Sequence, residues 1–374
     1  MRRTLALAVA LVGSAVLPAM AASPTQPRWT VPIDSRSAGQ WLSEAAGSVY
    51  GPIDGRLAAI AVASGRIRWQ SDVRPDSRSV VHGAAVLAPE SSGLAFLDVR
   101  SGRVFRRIAL GGTPAVAVGT SGFVSVVAAR SGIDVRGWSE AGRPTWQRTL
   151  TKERNERLIQ LGGDAVGLIA HDRVLVLDAK TGNAVAATDG IDELIGADGR
   201  YLWFNVVGGG IKGLDLDSGR TLAIHSSIVR GSARVEHGIA VAVVDGRLTR
   251  LDLRSGVVAR LPIYGRWIGG PIAGRRLIAR GDGAYVQTLS GAGGQRRVAP
   301  YRGDLDSITS DGHDAIIGHA DGTIDVIDVV AQRRLATFAT SCRDYEGFAQ
   351  TQATTLVHCD ADAQRSELLA FARP

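Results

Sequence analysis

The stretch Val174-Leu175-Val176-Leu177-Asp178-Ala179-Lys180-Thr181-Gly182 decides the fold. An apolar strand runs into an aspartate, and a Thr-Gly pair then turns the chain into a second strand. The physics is that of a hairpin. The Asp side chain accepts hydrogen bonds from backbone N–H groups of the turn, and Ser or Thr supports it. Gly supplies the residue of positive φ after a type I turn. Three further copies are clear: Asp98 to Gly102, Asp215 to Gly219 and Asp252 to Gly256. Weaker copies end at Gly65, Gly142 and Gly294, and an eighth, around Asp328, has Gln332 at the glycine place.

The anchors 65, 102, 142, 182, 219, 256, 294 and 332 are spaced 37, 40, 40, 37, 37, 38 and 38 apart. Between anchors lie two further short strands, as Arg157–Leu161 and Ala165–Ala170 do before Arg173–Leu177. Four strands in about 38 residues is the period of a β-propeller blade. Length alone, 374 residues, suggests two or three domains. The repeat replaces that with an all-β chain, residues 22–374 forming a single β-propeller of about eight four-stranded blades. The 46 glycines fit so many turns, and an aromatic content of 5% calls for an aliphatic, small-residue core. Thr151–Arg157 is read as a solvated loop.

Closure can be read from the two ends. Ser366–Phe371 resembles the strand before the turn but has no strand after it. Pro27–Pro32 resembles the strand after the turn. Pairing them closes the ring with one shared sheet and removes an open edge. Strict counting then gives nine sheets; eight is the expected number, with nine as its alternative.

The hairpin resembles the repeat of quinoprotein-type (PQQ-like) propellers: apolar strand, Asp, Thr/Ser-Gly, then Trp four residues on. Trp69 follows Gly65 by four and Trp146 follows Gly142 by four; the other six units lack that Trp. The resemblance implies the propeller fold over nearly the whole chain, and two functional branches. One is the dehydrogenases, which bind the quinone with calcium and typically carry adjacent cysteines beside it. Here Cys342 and Cys359 are 17 apart, and the calcium-binding residues have no counterpart. The other is small and non-catalytic, and includes the propeller lipoproteins of the outer-membrane β-barrel assembly machinery. This chain is similar in size and repeat but lacks the lipidated cysteine.

Met1-Arg2-Arg3, the apolar run Thr4–Pro18 and Ala19-Met20-Ala21 read as a secretory signal peptide, residues 1–21. The run is too short to span a bilayer. The Arg pair fits a twin-arginine route poorly, which leaves the export route open. The expectation is a periplasmic or secreted protein with no membrane insertion, reaching a membrane only through a partner. The net charge of +7 comes from 43 basic against 36 acidic residues, and only Lys152, Lys180 and Lys212 are lysines. The arginines are scattered among acids with no stacking platforms, which argues against nucleic acid.

No His-Glu-x-x-His, P-loop, Gly-x-Ser-x-Gly or paired Cys-x-x-Cys occurs. The densest His/Asp cluster is His313, Asp314, His319, Asp321 and Asp325. It is read as a hairpin turn at Asp321-Gly322 with rim residues around it, rather than as metal ligands. His358-Cys359-Asp360 is a second such group. The carboxylates Asp98, Asp178, Asp215, Asp252 and Asp328 recur at one place in the repeat and are read as turn stabilisers. Asp217 lies within its turn and is read as solvated. Cys342 and Cys359 lie across one expected hairpin and are expected to pair in an oxidising compartment. Arg66, Arg103, Arg143, Arg220 and Arg333 each follow the turn and would share one rim. Solvation of exposed hairpins is the plainer account of them; an anionic partner is the other.

These readings lead to a non-enzymatic propeller scaffold outside the cytoplasm, binding a protein partner, without cofactor or metal, and monomeric. The second reading is a quinoprotein-like oxidoreductase with a degenerate PQQ/calcium site.

Overall fold

In this computed structural model the described residues run from Pro24 to Pro374, apart from 35–42, 129–131, 152–156, 171, 199, 208–209, 225–233, 237–238, 245–246, 254, 256, 265, 273–274, 281–282, 289–295, 301–313, 320, 352 and 363–364. The leader read at 1–21, the loop core at 152–156, and the turn glycines Gly256 and Gly294 therefore lie outside them.

The described residues form nine separate antiparallel sheets, each strand pairing with the next in sequence. Seven four-stranded sheets span 43–70, 80–109, 115–150, 157–188, 191–224, 234–264 and 266–300. An eighth sheet, 314–339, has three strands. The closing sheet joins Asp344–Gln350, Thr354–Asp360 and Arg365–Ala372 to the N-terminal strand Trp29–Asp34. The eight hairpins read from the sequence thus occupy eight sheets, and the paired ends add one, which makes nine sheets among the described residues. The weakest copy still forms its hairpin, with Gln332 in the turn at φ 54°.

The closing strand runs antiparallel, Trp29 opposite Ala370 and Asp34 opposite Arg365. Before it, Thr25 bridges in parallel to Phe338, in the outer strand of the eighth sheet. The N-terminal segment therefore ties the eighth and closing sheets together.

Strand burial follows position in the sheet. The middle strands are covered on both faces by neighbouring sheets, so Ala85–Glu90 and Gly93–Asp98 read as continuous apolar runs and are buried along most of their length. The outermost strand Val104–Ala109 meets solvent on one face and alternates. First strands neighbour one another around the axis. The core is a series of layers between sheets: Tyr50, Leu57 and Ala59 of the first sheet pack on Val86, Ala88, Ala95 and Leu97 of the second. Equivalent clusters follow round to the closing sheet, where Leu356, Leu368 and Ala370 meet Val49, Ala58 and Ile60 of the first. That last cluster closes the ring.

Candidate functional site

The repeat carboxylates are engaged within their own turns. Asp98 Oδ1 accepts from the Ser101 amide and hydroxyl, both at 2.8 Å. Asp178 Oδ1 accepts from the Thr181 amide at 2.7 Å and hydroxyl at 2.9 Å. Asp252 accepts from the Ser255 amide and Asp328 from the Ala331 amide. The Ser101 hydroxyl and amide hold the Asp98 carboxyl below its ordinary range. Asp215 is buried and takes Arg200 Nε at 2.7 Å, besides the Ser218 hydroxyl at 2.8 Å. The guanidinium holds its carboxyl far below the usual range. Asp217 is exposed in the turn. Carboxylates so engaged are poor candidates for proton transfer.

Between sheets, several turn glycines receive a ring from the preceding sheet. A Cβ added at Gly102 would lie 2.4 Å from Trp69, and one at Gly182 2.4 Å from Trp146. The indoles donate from Nε1 to Val99 O at 3.1 Å and to Ala179 O at 2.8 Å. A third indole does the same in the closing sheet: Trp29 lies 2.7 Å from a Cβ at Gly65 and donates to Val62 O at 2.9 Å. Sequence spacing does not mark Trp29 as a docking residue, because nearly the whole chain separates it from its hairpin. The one available signal is its place in the strand after the turn. Each indole lies across its sheet from a small residue: Ala59 opposite Trp69, Gly137 opposite Trp146, Ala370 opposite Trp29. In the second sheet the large residue changes strand. Phe96 reaches Gly142, while Arg106 opposite it donates to Ala141 O at 2.8 Å.

The five arginines after the turns, Arg66, Arg103, Arg143, Arg220 and Arg333, are all exposed. They occupy the same corner, between third and fourth strands of the repeat, in the first, second, third, fifth and eighth sheets. The first three form an arc over consecutive sheets. Among the described residues none of the five enters an ion pair.

Sequence reasoning misses a cleft of about 950 Å³ on the outer edge of the fourth sheet, reaching the fifth. Arg173, Lys212, Arg220 and Asp189 line it, together with Thr188 and Thr221. Lys212 Nζ donates to Asp189 O, 2.6 Å away. No short motif marks this cleft, since its walls come from three sheets.

One histidine group needs correction. His319 and Asp325 are not rim residues. Both side chains are 1% exposed, with Nε2 and Oδ2 3.1 Å apart, and the Thr337 hydroxyl donates to the same carboxylate. Asp314 is buried beside Arg373. Thr323–Asp328 is a middle strand buried continuously from Ile324 to Ile327, which buries Asp325 as well, and clustering in sequence does not reveal this. Asp321-Gly322 is a turn, as read, and His313 lies outside the described residues. Cys342 and Cys359 come together as a disulfide with Cα atoms 5.5 Å apart.

His358 is fully buried in the closing sheet, and neither ring nitrogen has a hydrogen-bond partner. Burial lowers its pKa to about 4, against a smaller opposing pull from Asp360. The fold thus needs the neutral ring, whereas the unfolded chain takes up a proton as pH falls below about 6.5. Stability is fully present above that value and is lost as pH falls towards 4. At pH 5 the loss should be about 2 kcal/mol relative to neutral pH. Urea midpoints at pH 7.5 and 5 check this. His358→Leu should flatten the difference; an unchanged slope in that variant would remove His358 as the cause.

No protein-family model matches the chain. No curated protein matches it either. Solved structures do. BamB from Moraxella catarrhalis is 15% identical, with a TM-score of 0.54, over 92% of this chain and 96% of that one. Sqt1 from Saccharomyces cerevisiae is 9% identical, with a TM-score of 0.55, over 95% and 100%. The computationally designed Ika8 protein is 15% identical, with a TM-score of 0.51, over 90% and 98%. At these identities the likeness is one of fold, and the fold is a β-propeller.

Proposed function

We propose that the protein is a non-enzymatic propeller scaffold that acts outside the cytoplasm and holds a protein partner of acidic surface. The arc of Arg66, Arg103 and Arg143 carries this reading: three exposed guanidinium groups on consecutive sheets, none in an ion pair among the described residues. Charges needed only for solvation would be met equally well by scattered pairs. A like-signed arc on a rigid frame instead raises the encounter rate and orients an anionic surface. The engaged repeat carboxylates support a binding role over a catalytic one. The leader-like start, the paired cysteines and the fold likeness to BamB support an extracytoplasmic site of action.

The test is co-purification of the native protein from its envelope fraction. The Arg66→Glu, Arg103→Glu, Arg143→Glu triple variant should lose the captured protein, with an unfolding midpoint close to that of the parent, because exposed charges contribute little to stability. Capture that survives the triple reversal would assign the arc to solvation alone.

A further inference from the structure

Among the described turn glycines, Gly219 departs from the docking pattern between sheets. At Gly65, Gly102 and Gly182 an indole lies over the glycine, and at Gly142 the Phe96 ring does. The fifth sheet presents the same turn at Gly219, with φ +68° and the amide of Gly219 donating to Asp215 O at 2.9 Å. The facing pair in the fourth sheet is Val176 and Ala186, in place of a small residue and a tryptophan. A Cβ added at Gly219 would meet only Val185 O, at 3.5 Å. Gly102, Gly142 and Gly182 are buried, whereas Gly65 and Gly219 are half-buried, and of these two Gly219 alone has no ring over it.

The cleft opens at this position. Its walls include Gly219, Arg220 and Thr221 on one side and Ala187 and Thr188 on the other. Three cationic side chains, Arg173, Lys212 and Arg220, share it with one carboxylate, Asp189. The site therefore combines open space beside Gly219, where other junctions of this chain seat an aromatic ring, with the cationic side chains of Lys212 and Arg220.

We propose that the cleft at the junction of the fourth and fifth sheets takes an acidic peptide segment of a partner protein, with one tryptophan side chain seated over Gly219. The indole supplies the apolar contact that Trp69 and Trp146 supply at other junctions. The flanking carboxylates meet Arg220 and Lys212. An aromatic anchor in a pocket rimmed by charge is the arrangement in which few residues hold most of the binding energy. The inference rests on the reading of the protein as a partner-binding propeller and assigns that partner a second point of contact, away from the arc.

The probe is a fluorescein-labelled synthetic peptide with a central tryptophan between two glutamates on either side, followed by anisotropy with the intact protein. Saturable binding is expected at about 100 µM or tighter. Replacing the peptide tryptophan with alanine should weaken it by about tenfold or more. Lys212→Glu and Arg220→Glu should each weaken it by about threefold to tenfold. The Val176→Ala, Ala186→Trp double variant recreates the small-residue and tryptophan pair, fills that space from within and should abolish binding. The two charge reversals are surface changes and decide the matter even where the double variant does not fold. No saturable binding, or binding indifferent to the peptide tryptophan and to both reversals, overturns the inference. Partner capture that depends on Arg66, Arg103 and Arg143 while the peptide ignores the cleft would sink this inference and leave the scaffold reading standing. Peptide binding with no captured partner would do the reverse.

Discussion

The Gly102→Ala variant is expected to lose about 4 kcal/mol of stability, measured as a shift in urea midpoint at neutral pH. Two costs combine. Gly102 sits at φ +68°, where an L side chain is strained by about 1 kcal/mol. The larger cost is steric. The new methyl would lie 2.4 Å from Trp69, a rigid ring only 8% exposed and fixed by its bond to Val99 O. The ring cannot yield without giving up that bond and its packing beside Ala59, which costs about 3 kcal/mol in overpacked cores. Gly219→Ala is the internal control. It has the same φ and no ring above it, so it should cost about 1 kcal/mol. Equal losses in the two variants would mean that the indole contributes nothing to the junction.

That contrast shows how far the sequence can be read. The turn glycines are legible because a positive φ and a capping Asp are local requirements, met within five residues. Trp69 and Trp146 are legible for the same reason, lying four residues beyond their glycines. Trp29 makes the identical contact but is hidden, because its hairpin partner strand, Arg365–Ala372, is supplied from the other end of the chain. Even so, the apolar character of the two ends is enough to pair them. The same composite closure blurs the number of sheets. The cleft is illegible in a stronger sense. Its lining is drawn from the third, fourth and fifth sheets, among them Leu150, Thr188 and Gly219. An unfilled space leaves no motif; it emerges only when the junctions are compared in three dimensions. The buried pair His319 and Asp325 is misplaced by sequence clustering, which carries no knowledge that Thr323–Asp328 is a middle strand covered on both faces.

Removing the disulfide by Cys342→Ala, Cys359→Ala is expected to lower stability by about 3 kcal/mol, the chain-entropy value for a loop of this length. The bond joins the connection that leaves the eighth sheet to the strand Thr354–Asp360 of the closing sheet, the cysteines being 17 apart in sequence. Its position gives it weight beyond one hairpin. The closing sheet carries the strand Trp29–Asp34 on its edge, and through Leu356, Leu368 and Ala370 it packs on the first sheet. On its other face Phe371 stacks on Phe338 of the eighth sheet, 4.3 Å between centroids, in the cluster that holds both cysteines. Loss of this sheet would leave the first and eighth sheets with uncovered apolar faces, so opening should propagate through the ring. A ring-closure role predicts one cooperative transition at lower urea in the variant, with no separate early loss of the C-terminal strands. Reductant alone should change little under native conditions, since Cys342 is 4% and Cys359 0% exposed. It should lower the midpoint once the protein is unfolded and refolded in its presence. An unchanged midpoint in the alanine variant would mean that the pairing of Trp29–Asp34 with Arg365–Ala372 and the Phe338–Phe371 stack close the ring without the covalent clamp.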